Sequence, residues 1–194
     1  SQCKSALFDK GGLLAGKKCK TVVLLSTVAP DEAEDLQEEC VANGVQMLDC
    51  PVSGGTRGAA EGTLTLMAAG DKKIYEFCIP FLKSFSQRIF FVGEKVGMGQ
   101  SMKAVNQLLF GVQMVAMAEL LIFAKKSGAD PVRVIEAIRG GAAQCWTLDN
   151  KPPRLFAGNR KPGFKAQMQA KDLNIVLDTA REYGIPLPMT AVNA

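Results

Sequence analysis

The stretch TVVLLSTVAPDEAEDLQEECVANGVQMLDC, residues 21–50, determines the fold class of this chain. Residues 21–26 form a short, largely apolar run, which is typical of a parallel strand covered on both faces. Pro30 and the acidic residues after it favour the start of a helix, and Gly44 is a good C-terminal stop. Residues 45–50 are the next strand. A strand, a helix and a strand with short connections make a βαβ crossover, which predicts a parallel sheet.

The alternation of strand and helix continues beyond this unit and then stops. Residues 63–69 and 89–92 are predicted strands, and residues 72–85 between them are a predicted helix with a kink at Pro80. We therefore predict an α/β fold over residues 1–95, a partial Rossmann-like domain with a mostly parallel sheet.

The remainder of the chain reads as helix. Residues 99–126 predict one long helix that is apolar nearly all round, which implies burial between other helices. A shorter helix follows the Asp130-Pro131 start signal, residues 149–162 are a predicted loop, and residues 165–183 are a further helix. These patterns predict an all-α domain with one long helix over residues 96–194.

Composition excludes several classes of function. The net charge is +4 and the basic residues form no block, so we expect no nucleic-acid partner. The sequence contains no histidine, which removes histidine acid–base catalysis and most zinc or iron sites, so no metal is predicted. Any proton transfer must therefore use Lys, Asp, Glu, Tyr or Cys.

Compartment and membrane contact are also indicated by composition. The 6 cysteines are scattered without a C-x-x-C pair, which favours reduced thiols in the cytoplasm over disulfides. The most apolar run, residues 108–124, contains Gln113 and Glu119 and is short for a bilayer span. We predict a buried helix there and no membrane partner.

The segment LDCPVSGGTRGAAEGTLTLMAAG, residues 48–70, places Ser53, Gly54 and Gly55 just after a predicted strand. Glycines let backbone N–H groups approach a ligand closely, and successive N–H groups form an anion-binding concavity. Ligands also bind beyond the carboxyl ends of parallel strands. A plain tight turn explains the same residues equally well. The spacing alone leaves both interpretations open.

Lys103 and Asn106, in GMGQSMKAVNQ, share one face of the first turns of the long helix. Apolar neighbours such as Met102 and Val105 predict that part of this face is dry. A lysine held there would have a lowered pKa and would serve as a general acid or base, with Asn106 orienting a substrate. The alternative is an ordinary solvated lysine near a helix start.

Other candidate residues have simple structural interpretations. Lys171 and Asp172 alone predict a surface charge pair at the edge of a packed helix. Trp146, the only tryptophan, is expected in the core or in a pocket wall. Ser26 and Thr27 are expected to cap the following helix.

Taken together, DCPVSGG followed by EGTLTLMAAG, then GMGQSMKAVNQ, KDLNIVLDTA and STVAP resemble the signatures of the β-hydroxyacid dehydrogenases. This family includes 3-hydroxyisobutyrate, tartronate-semialdehyde, L-threonate and 6-phosphogluconate dehydrogenases. The resemblance extends over essentially all of the chain. It implies an NAD(P)-dependent oxidoreductase that transfers a hydride between nicotinamide and a short hydroxy acid. The apolar long helix predicts that subunits pack through the all-α part, as a homodimer or homotetramer. The sequence KAVNQ, where 6-phosphogluconate enzymes have K-x-x-H-N, argues against that substrate, and other segments look most like the L-threonate branch.

The resemblance also assigns roles to individual residues. It implies that Lys103 is the general acid/base. It implies that the substrate is bound by Ser53, Gly54, Gly55, Asn106 and Trp146. It implies that the cofactor, NAD or NADP, lies against Ser26, Thr27, Phe164 and Lys171. It also implies that Phe164 and Trp146 form a wall of the pocket.

One expected feature of a dinucleotide-binding fold is absent from the sequence, which contains no G-x-G-x-x-G after a strand. The opening SQCKSALFDKGG resembles the middle of such a domain, and a terminal helix is expected beyond Ala194. We therefore expect a chain cut at both ends. The alternative hypothesis is a non-catalytic dehydrogenase-like module kept for binding or oligomerisation. The presence of Lys103 and of Ser53-Gly54-Gly55 favours the enzyme.

Overall fold

A computed structural model describes residues 2–194. The first half of the described chain alternates strands and helices after an N-terminal helix and a short 3-10 turn (Leu13–Gly16). Its elements are α1 (Gln2–Phe8), β1 (Thr21–Leu24), α2 (Pro30–Ala42), β2 (Gln46–Asp49), β3 (Val52–Ser53), α3 (Gly55–Glu61), β4 (Leu64–Ala69), α4 (Lys72–Leu82) and β5 (Ser86–Gly93). The second half contains helices only within residues 2–194: α5 (Met98–Lys126), α6 (Pro131–Ile138), α7 (Trp146–Asn150), α8 (Pro152–Phe156), α9 (Ala166–Glu182) and α10 (Pro188–Asn193).

The sheet is mixed and mostly parallel. β1 pairs with β2 in parallel, with Val22 opposite Met47, and β4 pairs with β5 in parallel. β2 and β3 run antiparallel to successive parts of β4, at Asp49 opposite Ala69 and at Ser53 opposite Thr65. The predicted βαβ crossover and the mostly parallel sheet are confirmed. Because β1 and β2 are parallel, the loops that follow them leave the sheet at the same edge.

Two regions predicted as loops contain regular structure. Residues 51–62 form β3 and the short helix α3, and residues 149–162 include part of α7 and all of α8. In the first region Gly58 is buried, and a Cβ atom there would lie 3.2 Å from the side chain of Leu64. Tertiary packing of this kind stabilises a short helix whose glycine-rich sequence favours turns.

The long helix α5 is buried on one side only, so the predicted burial all round is wrong for the described chain. The buried side packs against β4, α9 and α10. Its other side exposes large apolar residues, among them Leu109, Ile122 and Phe123. By length and composition α5 could span a membrane. That is weak evidence for a membrane span, because the core helix of a globular protein can have the same length and composition.

Candidate functional site

The N-terminus of α5 is held by Asp49, the last residue of β2. One carboxylate oxygen, Oδ2, accepts hydrogen bonds from the backbone N–H groups of Gly97 at 3.0 Å and Gln100 at 3.1 Å. The other, Oδ1, accepts from the Gln100 side chain at 2.7 Å. Burial raises the pKa of Asp49, and these hydrogen bonds oppose the rise. A carboxylate in this position satisfies N–H groups that a helix start leaves unpaired.

Gln100 joins the same helix start to the loop after β1. Its side-chain oxygen accepts a hydrogen bond from the Val28 N–H at 3.1 Å, and its amide donates to the Ser26 carbonyl at 3.1 Å. The N-cap of α2 is Ala29, with no side-chain hydrogen bond at that cap. The expectation that Ser26 and Thr27 cap α2 is therefore wrong. Their loop is instead tied to the first turn of α5.

The two glycines of GMGQSMK are explained by this junction. Gly97 has a φ of +93°, which disfavours any side chain. A Cβ atom on Gly99 would lie 2.6 Å from the Met67 carbonyl oxygen and 2.8 Å from Oδ2 of Asp49. Only glycine lets α5 begin this close to β4 and to the end of β2.

Lys103 lies on the buried side of α5, one turn after Gly99, and only 7% of its surface is exposed. No hydrogen bond joins the Lys103 ammonium to any residue in the described range. No carboxylate oxygen of that range lies within 4.0 Å of Lys103 Nζ, the limit for an ion pair. Burial lowers the pKa of Lys103, the charge of Asp172 opposes this shift, and the charge of Lys171 adds to it. The alternative of a solvated lysine is therefore wrong.

Helix α9 supplies a charged network that connects α5 to the β1 loop. Asp172 is buried, and its Oδ2 accepts a hydrogen bond from the Gln107 side chain at 2.6 Å. The Lys171 ammonium lies 2.8 Å from Oδ1 of Asp172 and donates to the Thr27 carbonyl at 2.7 Å. The Asn106 side chain donates to Gln107 at 2.8 Å. The expectation of a surface charge pair at 171–172 is therefore wrong.

The loop with Ser53, Gly54 and Gly55 follows β2 at the same sheet edge as the β1 loop. Gly54 and Gly55 are exposed and have φ angles of +129° and +62°, which glycine adopts without strain. A Cβ atom on Gly55 would meet nothing within 4 Å, so its backbone faces open space. Within residues 2–194 no hydrogen bond joins these three residues to Lys103. The structure is compatible with a turn and with an open backbone cradle.

The predicted aromatic residues lie apart from this junction. Trp146 is 58% exposed, which excludes the core alternative, and its ring lies edge-on to Phe110 with centroids 6.2 Å apart. Phe110 is on α5, two turns after Lys103. The Lys151 ammonium lies 5.5 Å from the Trp146 ring centre and 5.6 Å from that of Phe110. Phe164 is exposed before α9, and no ring contact to it is found in the described structure.

The sequence interpretation missed three residues of this junction: Asp49, Gln100 and Gln107. Each lies inside or beside a segment already singled out, but each has a hydrogen-bond partner that is 51 or more residues away in the chain. A local pattern gives no signal for such contacts. In residues 2–194, no group of three Cys, Asp or Glu side chains is arranged to hold a metal ion.

Comparison with known proteins assigns the family. Residues 97–194 match the family model for the NAD-binding domain of NADP-dependent 3-hydroxyisobutyrate dehydrogenase. Residues 1–93 match the model for the NAD-binding domain of 6-phosphogluconate dehydrogenase. The chain belongs to the β-hydroxyacid dehydrogenase family. The resemblance of its motifs is confirmed.

Several β-hydroxyacid dehydrogenases are similar over nearly the whole chain. The 2-hydroxy-3-oxopropionate reductase of Escherichia coli K12 is 38% identical over 98% of this chain and 65% of its own length. The L-threonate dehydrogenase of Cupriavidus necator is 35% identical over 98% of this chain and 64% of its own. The crystal structure of 3-hydroxyisobutyrate dehydrogenase from Salmonella typhimurium superposes with a TM-score of 0.90 at 29% identity, covering 99% of this chain and 67% of that one. The chain thus spans just under two thirds of the length of the curated relatives.

Proposed function

We propose that this chain forms the catalytic and substrate-binding part of an NAD(P)-dependent dehydrogenase acting on a short hydroxy acid, such as L-threonate or a 3-hydroxyisobutyrate-like acid. Residues 1–95 would be the C-terminal portion of a Rossmann-like domain, and residues 96–194 a substrate and dimerisation domain. The observation that carries the proposal is Lys103 on α5, which is 7% exposed and makes no ion pair within residues 2–194, and whose pKa is affected by the charges of Asp172 and Lys171 on α9.

Lys103 is the proton carrier in this proposal. Burial lowers the pKa of Lys103, which makes its neutral amine more accessible, so Nζ would accept the hydroxyl proton during oxidation and return it during reduction. Asp172, on α9, limits the shift and keeps the protonated form accessible. Asn106 is held by Gln107 and would bind the substrate beside Lys103. Ser53, Gly54 and Gly55 would bind its carboxylate through exposed backbone N–H groups.

The residues present fit the nicotinamide end of the cofactor. Ser26 and Thr27 lie at the carboxyl edge of the parallel strands, where such ligands bind. Lys171 holds the Thr27 carbonyl at that edge. When bound, the nicotinamide supplies or accepts the hydride. Either NAD or NADP is compatible with these residues, and in this proposal Phe164 would lie beside the cofactor and Trp146 beside the substrate.

The assembly would be a homodimer or homotetramer formed through the all-α part. Support comes from the exposed apolar side of α5, defined by Val105, Leu109, Val115, Ile122 and Phe123. Contiguous exposed apolar surface of this kind is typical of interfaces between subunits. The free thiols of the chain are consistent with a reducing compartment, and we propose the cytoplasm.

The alternative, a non-catalytic binding or oligomerisation module, is not favoured, because such a module has no need of a buried and unpaired lysine, which destabilises a fold.

The test is an assay of NAD⁺ and NADP⁺ reduction with L-threonate and 3-hydroxyisobutyrate, and of 2-hydroxy-3-oxopropionate reduction in the reverse direction. The chain is assayed with a dinucleotide-binding segment fused in front of it. We expect turnover that Lys103→Ala abolishes. Near-normal turnover of Lys103→Ala would show that Lys103 is not the acid/base. Absence of turnover with every acid would contradict the proposal that the chain is part of a hydroxy acid dehydrogenase.

A further inference from the structure

The first turn of α5 depends on two side chains that take no part in the proposed proton transfer. The N-cap residue, Gly97, has no side chain to accept the N–H groups that a helix start leaves unpaired. Asp49 takes this role from another element, since its carboxylate accepts the N–H groups of Gly97 and Gln100. A negative charge is also favoured beside a helix N-terminus. The start of α5 is therefore fixed to the end of β2.

The Gln100 side chain forms three hydrogen bonds, each with a different group. Its oxygen accepts from the Val28 N–H, while its nitrogen donates both to the Ser26 carbonyl and to Oδ1 of Asp49. The side chain is 1% exposed, so water does not replace any of these partners. A glutamate side chain could not donate the two hydrogen bonds, and a leucine side chain could neither donate nor accept one. The arrangement therefore requires a side-chain amide.

Lys103 follows Gln100 by three residues, so the two side chains are neighbours on successive turns of α5. The first turn of α5 is also packed tightly against the sheet, because a Cβ atom on Gly99 would lie only 2.6 Å from the Met67 carbonyl oxygen. The position of the Lys103 amine relative to the loop of Ser26 and Val28 is thus fixed by the hydrogen bonds of one helical turn.

We propose that Asp49 and Gln100 are positioning residues that set the placement of Lys103 against the Ser26–Val28 loop. The inference rests on the proposed function, in which that loop faces the nicotinamide and Lys103 carries the proton. The pair therefore aligns hydride transfer with proton transfer. Neither residue touches the reacting atoms in this arrangement, and each acts through the helix.

The first experiment needs no cofactor. The titration of Lys103 is followed by NMR of isotopically labelled lysine in the 194-residue chain, in Gln100→Met and in Asp49→Asn. Loosening the first turn admits water, so we expect the Lys103 pKa to rise toward its ordinary value in both variants. For Asp49→Asn, the loss of charge alone would lower the Lys103 pKa, because removing a nearby negative charge lowers the pKa of a lysine. A rise in this variant therefore reports the loosened turn.

The control is Leu82→Ala, which removes a fully buried side chain from α4, outside the junction. It is expected to lower the melting temperature while leaving the Lys103 pKa unchanged. If the two junction variants also leave that pKa unchanged at a similar loss of melting temperature, Asp49 and Gln100 only stabilise the fold and the proposal is wrong.

The second experiment uses the chain with a dinucleotide-binding segment fused in front of it. We expect Gln100→Met to lower kcat by about 10- to 100-fold, because a misplaced catalytic group loses alignment, with KM for the hydroxy acid little changed. An unchanged kcat would overturn the positioning role. Retained turnover in Lys103→Ala would instead contradict the proposed function, so the two failures are distinguishable.

Discussion

Lys171 on α9 donates a hydrogen bond to the carbonyl oxygen of Thr27, across 144 positions of sequence and 2.7 Å of space. The same ammonium lies 2.8 Å from the buried Asp172 carboxylate, which is bonded to Gln107 on α5. The β1 loop, α5 and α9 therefore meet through one chain of polar contacts. Lys103 lies beside this chain, where the charges of Asp172 and Lys171 act on its pKa in opposite directions.

Replacing Lys103 is expected to separate activity from stability. Lys103→Met removes the proposed proton carrier, and loss of general acid–base catalysis typically costs about 10²–10⁴-fold in rate. The same change replaces a lysine that is only 7% exposed with an apolar side chain, so the melting temperature should rise. Turnover and thermal unfolding of both proteins measure the two effects. A fall in melting temperature would show that the Lys103 amine is stabilised in the fold.

The stability of the chain should depend on pH through Lys103. Burial lowers the pKa of Lys103 in the folded chain below its ordinary value of 10.5. At a pH between the Lys103 pKa of the folded chain and that of the unfolded chain, the unfolded state binds a proton that the folded state lacks. The free energy of unfolding therefore rises with pH in this range. Urea denaturation at several pH values measures this slope. Lys103→Met is the control and should lack the rise, and identical slopes for the two proteins would contradict the prediction.

Lys171→Met is expected to loosen the junction. It removes a charged donor from the Thr27 carbonyl and leaves Asp172 without its ammonium partner. Hydrogen bonds of charged groups contribute about 1.5–3 kcal/mol, so we expect a loss of about that size in the free energy of unfolding. The matched control is Arg57→Met, which breaks an exposed helical pair with Glu61. Equal small losses in both variants would contradict a structural role for Lys171.

Gly99→Ala should disturb the start of α5. The added Cβ would lie 2.6 Å from the Met67 carbonyl oxygen, so the helix must shift away from β4. Overpacking of this kind costs about 1–3 kcal/mol, and the shift should also lower kcat because Lys103 moves with the helix. Gly16→Ala is the control, because a Cβ there meets nothing within 4 Å. Equal stability and equal kcat in the two variants would show that the close approach of α5 to β4 does not require glycine at position 99.

Phe123→Glu should prevent subunit association. Phe123 is 76% exposed on the apolar side of α5, and a charge there cannot be buried in an interface without large cost. Light scattering of the unmodified chain should give a dimer or tetramer, and the variant should shift toward the monomer. Phe77→Glu, on α4, is an equally exposed aromatic control and should leave the mass unchanged. A monomeric unmodified chain would contradict the proposed assembly.

Sequence patterns predicted the elements whose signals are local. The βαβ unit of β1, α2 and β2, the long helix α5 and the helix α9 follow from apolar runs and from Pro and Gly at their ends. The short elements β3, α3, α7, α8 and α10 were missed, because a two-residue strand or fewer than two helical turns give too little periodicity to detect. The apolar sequence of α5 indicated that this helix packs against other elements. It did not indicate that one side of α5 is exposed in the structure of residues 2–194.

The candidate site was predictable in part. Lys103 and Asn106 stand out because a lysine among apolar neighbours is chemically unusual. Asp49 and Gln100 do not, since a strand-end aspartate and a helix-start glutamine each have common local explanations. Their significance comes from a hydrogen bond across 51 residues, which only the folded chain reveals.

The length of α5 separates its two ends widely. Its 29 residues extend about 43 Å at 1.5 Å per residue, with Lys103 near one end and Phe123 near the other. These two residues are 20 positions apart, which is about 30 Å along the helix axis. A neighbouring subunit that covered Phe123 would therefore leave the surroundings of Lys103 accessible to a small molecule.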